Sequence, residues 1–161
     1  ASETLDELGV RQILNLAPVL DLPPAILHRS DPLVVNEHEA AQILTAAHTG
    51  VLPFPRSEAL DGLKLAGGLV KTGIRSVVVT LGSAGAAMAT AQEAIHIEAP
   101  IVEAVDTTGA GDAFVGALAA ALAQGADLPE ACRRAVRVAA FSVRGHGAQD
   151  SYPTTNEVPP V

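Results

Sequence analysis

Cysteine and aromatic residues are almost absent from this chain of 161 residues. Cys132 is the only cysteine, and aromatic residues make up 2% of the chain. A lone cysteine cannot form an internal disulfide, which is typical of a reducing compartment, and we expect a cytoplasmic protein. The alanine-rich, helical surroundings of Cys132 favour a structural thiol over a nucleophile. The core must be built from aliphatic side chains, which suits a sheet covered by helices on both faces.

Positive charge is also scarce. Lys64 and Lys71 are the only lysines, and the formal net charge is −8. This composition argues against nucleic acid as a partner, because no basic stripe exists to bind the phosphate backbone. No apolar run reaches the length of a membrane span, and residues 1–8 are acidic where a secretory signal is basic. We therefore expect neither a membrane nor a nucleic-acid partner.

Several familiar site motifs are missing. The five histidines show no His-x-x-x-His spacing, so we expect His38 and His96 at the surface rather than on zinc. Ser83 lacks the first glycine of a nucleophile elbow. Residues 109–112 lack the Gly-Lys-Ser/Thr of a Walker A loop, and Phe114 replaces the third glycine of a dinucleotide fingerprint. Common hydrolase, histidine-based zinc and dinucleotide sites are thereby disfavoured.

The chain does contain a loop of small residues between two aspartates, Asp106 and Asp112. An alanine- and leucine-rich run follows and predicts a helix to about residue 125. The first turn of a helix carries unpaired N–H groups that attract an anion, and small residues allow its close approach. Asp112 could then take a proton from an attacking hydroxyl during phosphoryl transfer. The plainer interpretation is a turn followed by an acidic first helical turn, and the motif alone fits both.

Short apolar runs alternate with helical patterns and predict an α/β fold. The β-branched run 76–81 indicates a strand buried on both faces, as in a parallel sheet. Asp31-Pro32 should separate a short helix from a very short strand. The predicted strands are 12–16, 33–35, 76–81 and an edge hairpin of 86–90 and 94–98; the predicted helices start at Pro24, after Asn36, at Ser57 (ending at Gly73) and at Leu128 (ending near Val143).

Three loops of polar and glycine residues should meet at one edge of this sheet. They are residues 36–39, 80–85 and 106–112. Ligands bind where the carboxyl ends of parallel strands gather, so we predict a nucleotide site with its phosphates at 109–112. A capping box alone would also explain Asn36 and Glu39.

The sequence resembles the ribokinase-like sugar kinases, also called the phosphofructokinase-B type, from about residue 13 to residue 153. Residues 106–114 match the family's second signature most specifically. Four other segments occur in family order: 13–18, 36–39, 80–83 and 147–153. The resemblance implies a three-layer, mostly parallel α/β fold and ATP-dependent phosphorylation of a sugar hydroxyl, with ribose 5-phosphate as the expected product. Because the family's chains are about twice as long, it also implies that residues 1–161 form the C-terminal nucleotide-binding and catalytic-base portion, without the N-terminal half and lid.

The resemblance also assigns roles to individual residues. Asp112 would be the catalytic base beside an anion hole. Asn36 and Glu39 would position Mg²⁺ and phosphate, and a K⁺ ion would bind beside the anion hole. The implied anion-hole residues are Gly109, Ala110 and Gly111; the implied ATP-binding residues are Thr80, Gly82, Ser83 and Gly85; the implied cation ligands are Asp106, Thr108, Ser142, Gly145, Gly147 and Ser151.

Other functions remain open at this point. The alternatives are another sugar or nucleoside kinase, of the fructokinase or adenosine kinase type, and a non-catalytic nucleotide-binding module. Asp112 argues against the second, because binding an anion gains nothing from a carboxylate beside it. Without an N-terminal half the sheet would keep open edges. We therefore expect the segment alone to be unstable or inactive without that half or an oligomeric partner, and the complete protein to be a homodimer.

Overall fold

The structure is a computed structural model that describes residues 9–49, 61–154 and 157–158. The chain divides into two compact units. The first comprises Ala1–Leu81 and Ala87–His96, and the second comprises Gly82–Ala86 and Ile97–Val161. The first unit is built on a β-sheet and the second on a pair of helices.

The described residues form a five-stranded sheet in the order β1-β2-β3-β4-β5. β1 pairs with β2 and β2 pairs with β3, both in parallel. The links to β4 and β5, residues 81–85 and 91–93, are too short for a crossover, so these strands run antiparallel. This arrangement confirms the predicted edge hairpin. The strands are β1 (Gln12–Asn15), β2 (Ser30–Asn36), β3 (Ser76–Thr80), β4 (Ala86–Thr90) and β5 (Ala94–Ile97).

Three helices belong to the first unit: α1 (Pro24–Arg29), α2 (Glu37–Thr49) and α3 (Gly62–Lys71). They close a core over one face of the central strands. Its main members are Leu33, Val35, Val77 and Val79 from the strands, Ala40 and Ile43 from α2, and Leu65 and Leu69 from α3. Alternate residues of the same strands, Val34 and Val78, are buried as well. Burial of both sets confirms the prediction for the run at 76–81.

Strand β2 is longer than predicted. Asp31 and Pro32 were expected to lie between a short helix and a strand at 33–35, yet they lie inside a strand of seven residues. Gln12 pairs with Ser30 and Leu14 pairs with Leu33, so two residues of β2 face one residue of β1. This irregularity accommodates Pro32, which has no N–H to give to a regular ladder.

Helix α3 begins later than the sequence suggested. Ser57 was predicted to cap it, but the helix starts at Gly62 and its N-cap is Asp61. The Asp61 carboxylate accepts the N–H groups of Leu63 and Lys64, at 3.1 and 3.2 Å. Ser57 lies outside the described residues. The predicted end at Gly73 is confirmed, since the helix stops at Lys71 and Gly73 has a φ of 106°.

The second unit contains α4 (Ala110–Ala123) and α5 (Leu128–Ser142), which pack against each other. The buried residues of the two helices are mostly alanine and leucine, and Cys132 on α5 is fully buried, as predicted. Asp127 caps α5 by accepting the N–H of Glu130 at 2.8 Å. Two 3-10 turns, Gly82–Ala84 and Gln149–Ser151, also belong to this unit. Among the helices of the described ranges, none combines the length and apolarity needed to cross a bilayer.

Candidate active site

The first turn of α4 carries the small-residue motif. Gly109 is the N-cap, with φ 80° and ψ 0°, a left-handed conformation that favours glycine. The helix begins at Ala110, so Ala110, Gly111 and Asp112 belong to the helix rather than to the loop before it. Gly111 and Asp112 are exposed. The predicted helix is confirmed, and Asp112 stands in its acidic first turn.

The N–H groups of this turn differ in their partners. Ala110 donates to the carbonyl of Thr107 at 3.2 Å, and Ala113 donates to the carbonyl of Gly109 at 2.9 Å. Between them, Gly111 and Asp112 have no acceptor for their N–H groups within the described ranges. Two unpaired donors at a helix N-terminus, next to an exposed carboxylate, can hold an anion. The anion-hole role predicted for Ala110 stays a prediction, and it would compete with the bond to Thr107.

The C-terminal loop packs directly on Gly109. The Tyr152 hydroxyl donates to the Gly109 carbonyl at 3.2 Å. A Cβ added to Gly109 would lie 2.9 Å from both this hydroxyl and the Cβ of Ala148. Tyr152 was given no role from the sequence. Two features could have indicated one: Tyr152 lies inside the family-like segment 147–153, and it is the only tyrosine of the chain.

Asp106 joins the same two loops. Its Oδ1 accepts the N–H of Thr108 at 2.9 Å, and its Oδ2 accepts the N–H of Gly147 at 3.0 Å. These bonds, that to Thr108 first, lower the pKa of Asp106 from 3.8 to about 2, with help from nearby His146. Asp106 is therefore ionised at neutral pH and forms part of the loop structure.

The other predicted cation ligands also lie in the second unit. Ser142 is buried and donates its hydroxyl to Ala139, and Ser151 donates to Ala148, each at 2.9 Å. A Cβ on Gly145 would come within 3.3 Å of the Ser151 Cβ, so these two residues are neighbours. The structure thus joins Asp106, Thr108 and Gly147 by hydrogen bonds and places Gly145 beside Ser151. Their role as ligands stays a prediction.

In the first unit, Asn36 and Glu39 form a capping box at the start of α2. The Asn36 side chain accepts the Glu39 N–H at 2.9 Å, and the Glu39 carboxylate accepts the Asn36 N–H at 2.7 Å through Oε2. Asn36 ends β2 and is the register partner of Thr80, which ends β3. The first residues of two of the three predicted loops, Asn36 and Thr80, therefore lie side by side at the carboxyl ends of parallel strands.

The predicted nucleotide-binding glycines differ in their surroundings. Gly82 and Ser83 are exposed in the turn after β3. Gly85 is buried with a φ of 97°, and a Cβ there would fall 2.0 Å from the carbonyl oxygen of Ile97. Close backbone packing therefore requires glycine at Gly85, whatever its relation to a nucleotide.

Metal ligation and the meeting of all three loops remain predictions. Within the described ranges, no three His, Cys, Asp or Glu side chains are grouped to hold a metal ion. Residues 36–39 and Thr80 belong to the first unit, whereas 82–85 and 106–112 belong to the second. The predicted site residues are therefore divided between the two units.

Several known proteins are similar to this chain in sequence and in fold. The pattern of the pfkB family carbohydrate kinases matches residues 5–155. The deoxyribokinase of Salmonella typhi is 38% identical over 150 residues, which are 92% of this chain and 46% of the relative. The ribokinase of Thermotoga maritima has a similar structure, with a TM-score of 0.81 and 34% identity over 97% of this chain and 50% of its own. The ribokinase of Arabidopsis thaliana, solved with ribose and ATP, has a TM-score of 0.77 and 32% identity over 98% of this chain and 49% of its own.

These similarities confirm the resemblance found in the sequence and the ribokinase-like α/β fold that it implied. The chain spans about half the length of the curated relatives it matches. The match of residues 5–155 includes both the capping box at Asn36 and the first turn of α4. The chain belongs to the pfkB family of carbohydrate kinases.

Proposed function

We propose that the protein catalyses ATP-dependent phosphorylation of a sugar hydroxyl, with ribose as substrate and ribose 5-phosphate as product. The observation that carries the proposal is the first turn of α4. It presents an exposed carboxylate and two N–H groups, those of Gly111 and Asp112, that have no acceptor among the described residues. An anion hole beside a carboxylate is the arrangement that phosphoryl transfer needs.

Asp112 is the residue that acts on the sugar. Its carboxylate accepts a hydrogen bond from the reacting hydroxyl, orients it, and takes the proton as the new O–P bond forms and the bond between the γ-phosphorus and the bridging oxygen breaks, so that ADP leaves. The N–H groups of Gly111 and Asp112 donate to the oxygens of the transferred phosphoryl group, where negative charge is present in the transition state. Both contributions depend on α4 starting at Ala110, so the helix start determines the geometry of the reaction.

Asn36 and Glu39 fit a supporting role toward Mg²⁺. The capping box uses only Oε2 of Glu39, and Oε1 has no partner within the described ranges. Mg²⁺ in kinases binds through one or two carboxylates together with substrate phosphates and water, so a single carboxylate oxygen is sufficient. When bound, the ion offsets negative charge on the phosphates of ATP. Thr80, at the adjacent strand end, would then lie close to the nucleotide.

A monovalent cation such as K⁺ fits the loop pair at Asp106 and Gly147. The carboxylate of Asp106 is ionised, and the loops around it offer backbone carbonyls and the hydroxyl of Ser151. A bound cation would add to the hydrogen bonds that already join these loops. This would favour the conformation in which α4 presents its N–H groups.

The relatives suggest two pentoses as substrates. The Arabidopsis ribokinase was solved with ribose and ATP, and the Salmonella relative is named a deoxyribokinase. The two sugars differ only in the 2-hydroxyl. Phosphorylation of 2-deoxyribose is therefore the second candidate function.

A substrate panel tests the proposal. ADP formation by the intact protein is measured with ATP, Mg²⁺ and either ribose, 2-deoxyribose, fructose or adenosine, with and without K⁺. We expect the highest kcat/KM with ribose and a higher rate with K⁺. Preference for 2-deoxyribose would support the second candidate. Absence of phosphotransfer to every acceptor would reject a kinase function and favour a nucleotide-binding module.

A further inference from the structure

Tyr152 contacts the peptide group on which the first turn of α4 depends. Its hydroxyl donates to the Gly109 carbonyl at 3.2 Å, although the two residues are 43 positions apart. The same carbonyl accepts the N–H of Ala113, the first hydrogen bond of the helix. One oxygen thus receives a bond from the helix and another from the C-terminal loop.

The other end of this peptide group is held as well. The N–H of Ala110 donates to the carbonyl of Thr107 at 3.2 Å. The plane of the Gly109–Ala110 peptide is therefore fixed at its carbonyl by Tyr152 and Ala113, and at its nitrogen by Thr107. The next two N–H groups, those of Gly111 and Asp112, are the ones without an acceptor in the described part of the chain.

A tilt of this peptide would turn the unpaired N–H groups. Gly109 is the one residue of the turn with a positive φ, so its own torsions do not hold the plane as firmly as a residue with a side chain would. No side chain can be added, because a Cβ would lie 2.9 Å from the Tyr152 hydroxyl and from Ala148. The restraint that a side chain would supply locally comes instead from Tyr152.

We propose that Tyr152 is a positioning residue for phosphoryl transfer. It holds the Gly109 carbonyl so that the N–H groups of Gly111 and Asp112 are directed at the transferred phosphoryl group before the reaction. This inference rests on the proposed kinase function. Donors that are oriented in advance stabilise the transition state more than they stabilise the bound substrates. Tyr152 therefore acts on kcat rather than on KM.

Tyr152→Phe in the intact protein tests this, because it removes one hydroxyl and keeps the ring. The matched control is Thr72→Val, which removes a hydroxyl that donates to a backbone carbonyl, that of Leu69, at 2.7 Å at the end of α3. We expect Tyr152→Phe to lower kcat about fivefold, with the KM values for ATP and sugar within twofold of the unmodified protein. Thr72→Val should keep its kcat, and the two variants should show similar decreases in melting temperature.

Affinity for a transition-state mimic provides the second measurement. A complex of ADP, Mg²⁺ and aluminium fluoride, with the sugar preferred in the panel, imitates the planar phosphoryl group. Its affinity should fall in Tyr152→Phe by the same factor as kcat, while affinity for ATP stays unchanged.

Two outcomes would overturn the inference. They are an unchanged kcat in Tyr152→Phe, whether or not KM is raised, and an equal loss of kcat in Thr72→Val. Absence of phosphotransfer by the unmodified protein would overturn the proposed function together with this inference. Normal turnover by Tyr152→Phe would overturn the inference alone.

Discussion

The carboxylate of Asp106 binds the backbone N–H of Gly147 at 3.0 Å, across 41 positions of sequence. The other carboxylate oxygen accepts the N–H of Thr108. Close by, the carbonyl of Val143 accepts the N–H groups of Val105 and Asp106, at 2.7 and 3.2 Å. The segment before α4 and the segment after α5 are therefore joined by hydrogen bonds. Asp106 supplies the only charged group among these bonds.

Asp106→Asn should destabilise the protein in a pH-dependent way. The amide keeps one acceptor oxygen, but its NH₂ group would face the second N–H. Because the folded pKa of about 2 lies below the ordinary 3.8, the ionised carboxylate stabilises the fold fully above about pH 4 to 5. That contribution declines as the pH falls below 3.8 and is gone below about 2. Melting temperatures measured from pH 7 to pH 3 should be lower in the variant than in the unmodified protein. The difference should be constant down to about pH 4 and should become smaller below it.

Asp150→Asn is the control for this comparison. Asp150 is exposed in the same C-terminal loop and has no hydrogen bond through its carboxylate within the described ranges. Asp150→Asn removes the same charge but breaks no such hydrogen bond. The melting temperature of this variant should therefore follow that of the unmodified protein at every pH. A deficit for Asp106→Asn that persists unchanged down to pH 3 would show that ionisation is not the cause.

Gly109, the N-cap of α4, and Gly116, within the helix, should respond in opposite ways to substitution by alanine. Gly109→Ala forces a side chain into a left-handed conformation and against Tyr152 and Ala148, so we expect a loss of at least about 1–2 kcal/mol in the free energy of unfolding. Gly116→Ala adds a methyl group where nothing lies within 4 Å, in the middle of the helix, and should stabilise by about 0.5–1 kcal/mol. Urea unfolding of both variants measures the difference. Equal effects at the two positions would contradict the described start of α4.

Glu39→Gln separates capping from metal binding. Glutamine can still accept the N–H of Asn36, so the capping box survives and the melting temperature should change by no more than about 2 °C. The charge that Mg²⁺ requires is lost, so the concentration of Mg²⁺ that gives half-maximal turnover should rise about tenfold. Asn36→Ala should instead cost about 1 kcal/mol of stability, because an N-cap is removed. If Glu39→Gln changes stability but not Mg²⁺ dependence, Glu39 serves the helix alone.

Local patterns in the sequence predicted much of the first unit correctly. Asn36 and Glu39 are three positions apart, and a capping box needs only those neighbours, so it could be predicted from the sequence and is observed. Gly73 ends α3 because a positive φ there suits glycine. Pro32 was misjudged, because the irregular pairing that accommodates it depends on β1, a separate strand. Ser57 was predicted as the cap of α3, whereas Asp61 is the observed cap; serine and aspartate cap helices about equally well, so residue type alone does not locate the helix start.

The hydrogen bonds between distant residues of the candidate site could not be predicted from local patterns in the sequence. The bond from Asp106 to Gly147 and that from Tyr152 to Gly109 span more than 40 positions, and both form only when the C-terminal loop folds back on the start of α4. The family resemblance implied that Asp106 and Gly147 bind the same cation, whereas the hydrogen bond between them was found in the structure. Gly85 was expected to bind the nucleotide. The structure shows a different reason for glycine at this position, namely close backbone packing against Ile97.

Asp112→Asn tests the central claim most directly. The variant keeps the helix start, because asparagine is nearly the same size, but it removes the group that takes the proton. Asp127→Asn is the matched control, since it makes the same change at the N-cap of α5, where asparagine caps as well as aspartate. Turnover is measured with the preferred sugar, and ATP binding is measured by calorimetry without sugar.

The account predicts that Asp112→Asn lowers kcat at least about 100-fold, while the affinity for ATP with Mg²⁺ stays within about threefold. Asp127→Asn should keep normal turnover. Near-normal turnover in Asp112→Asn would contradict the assignment of Asp112 as the base, and with it the proposal that the first turn of α4 carries out phosphoryl transfer.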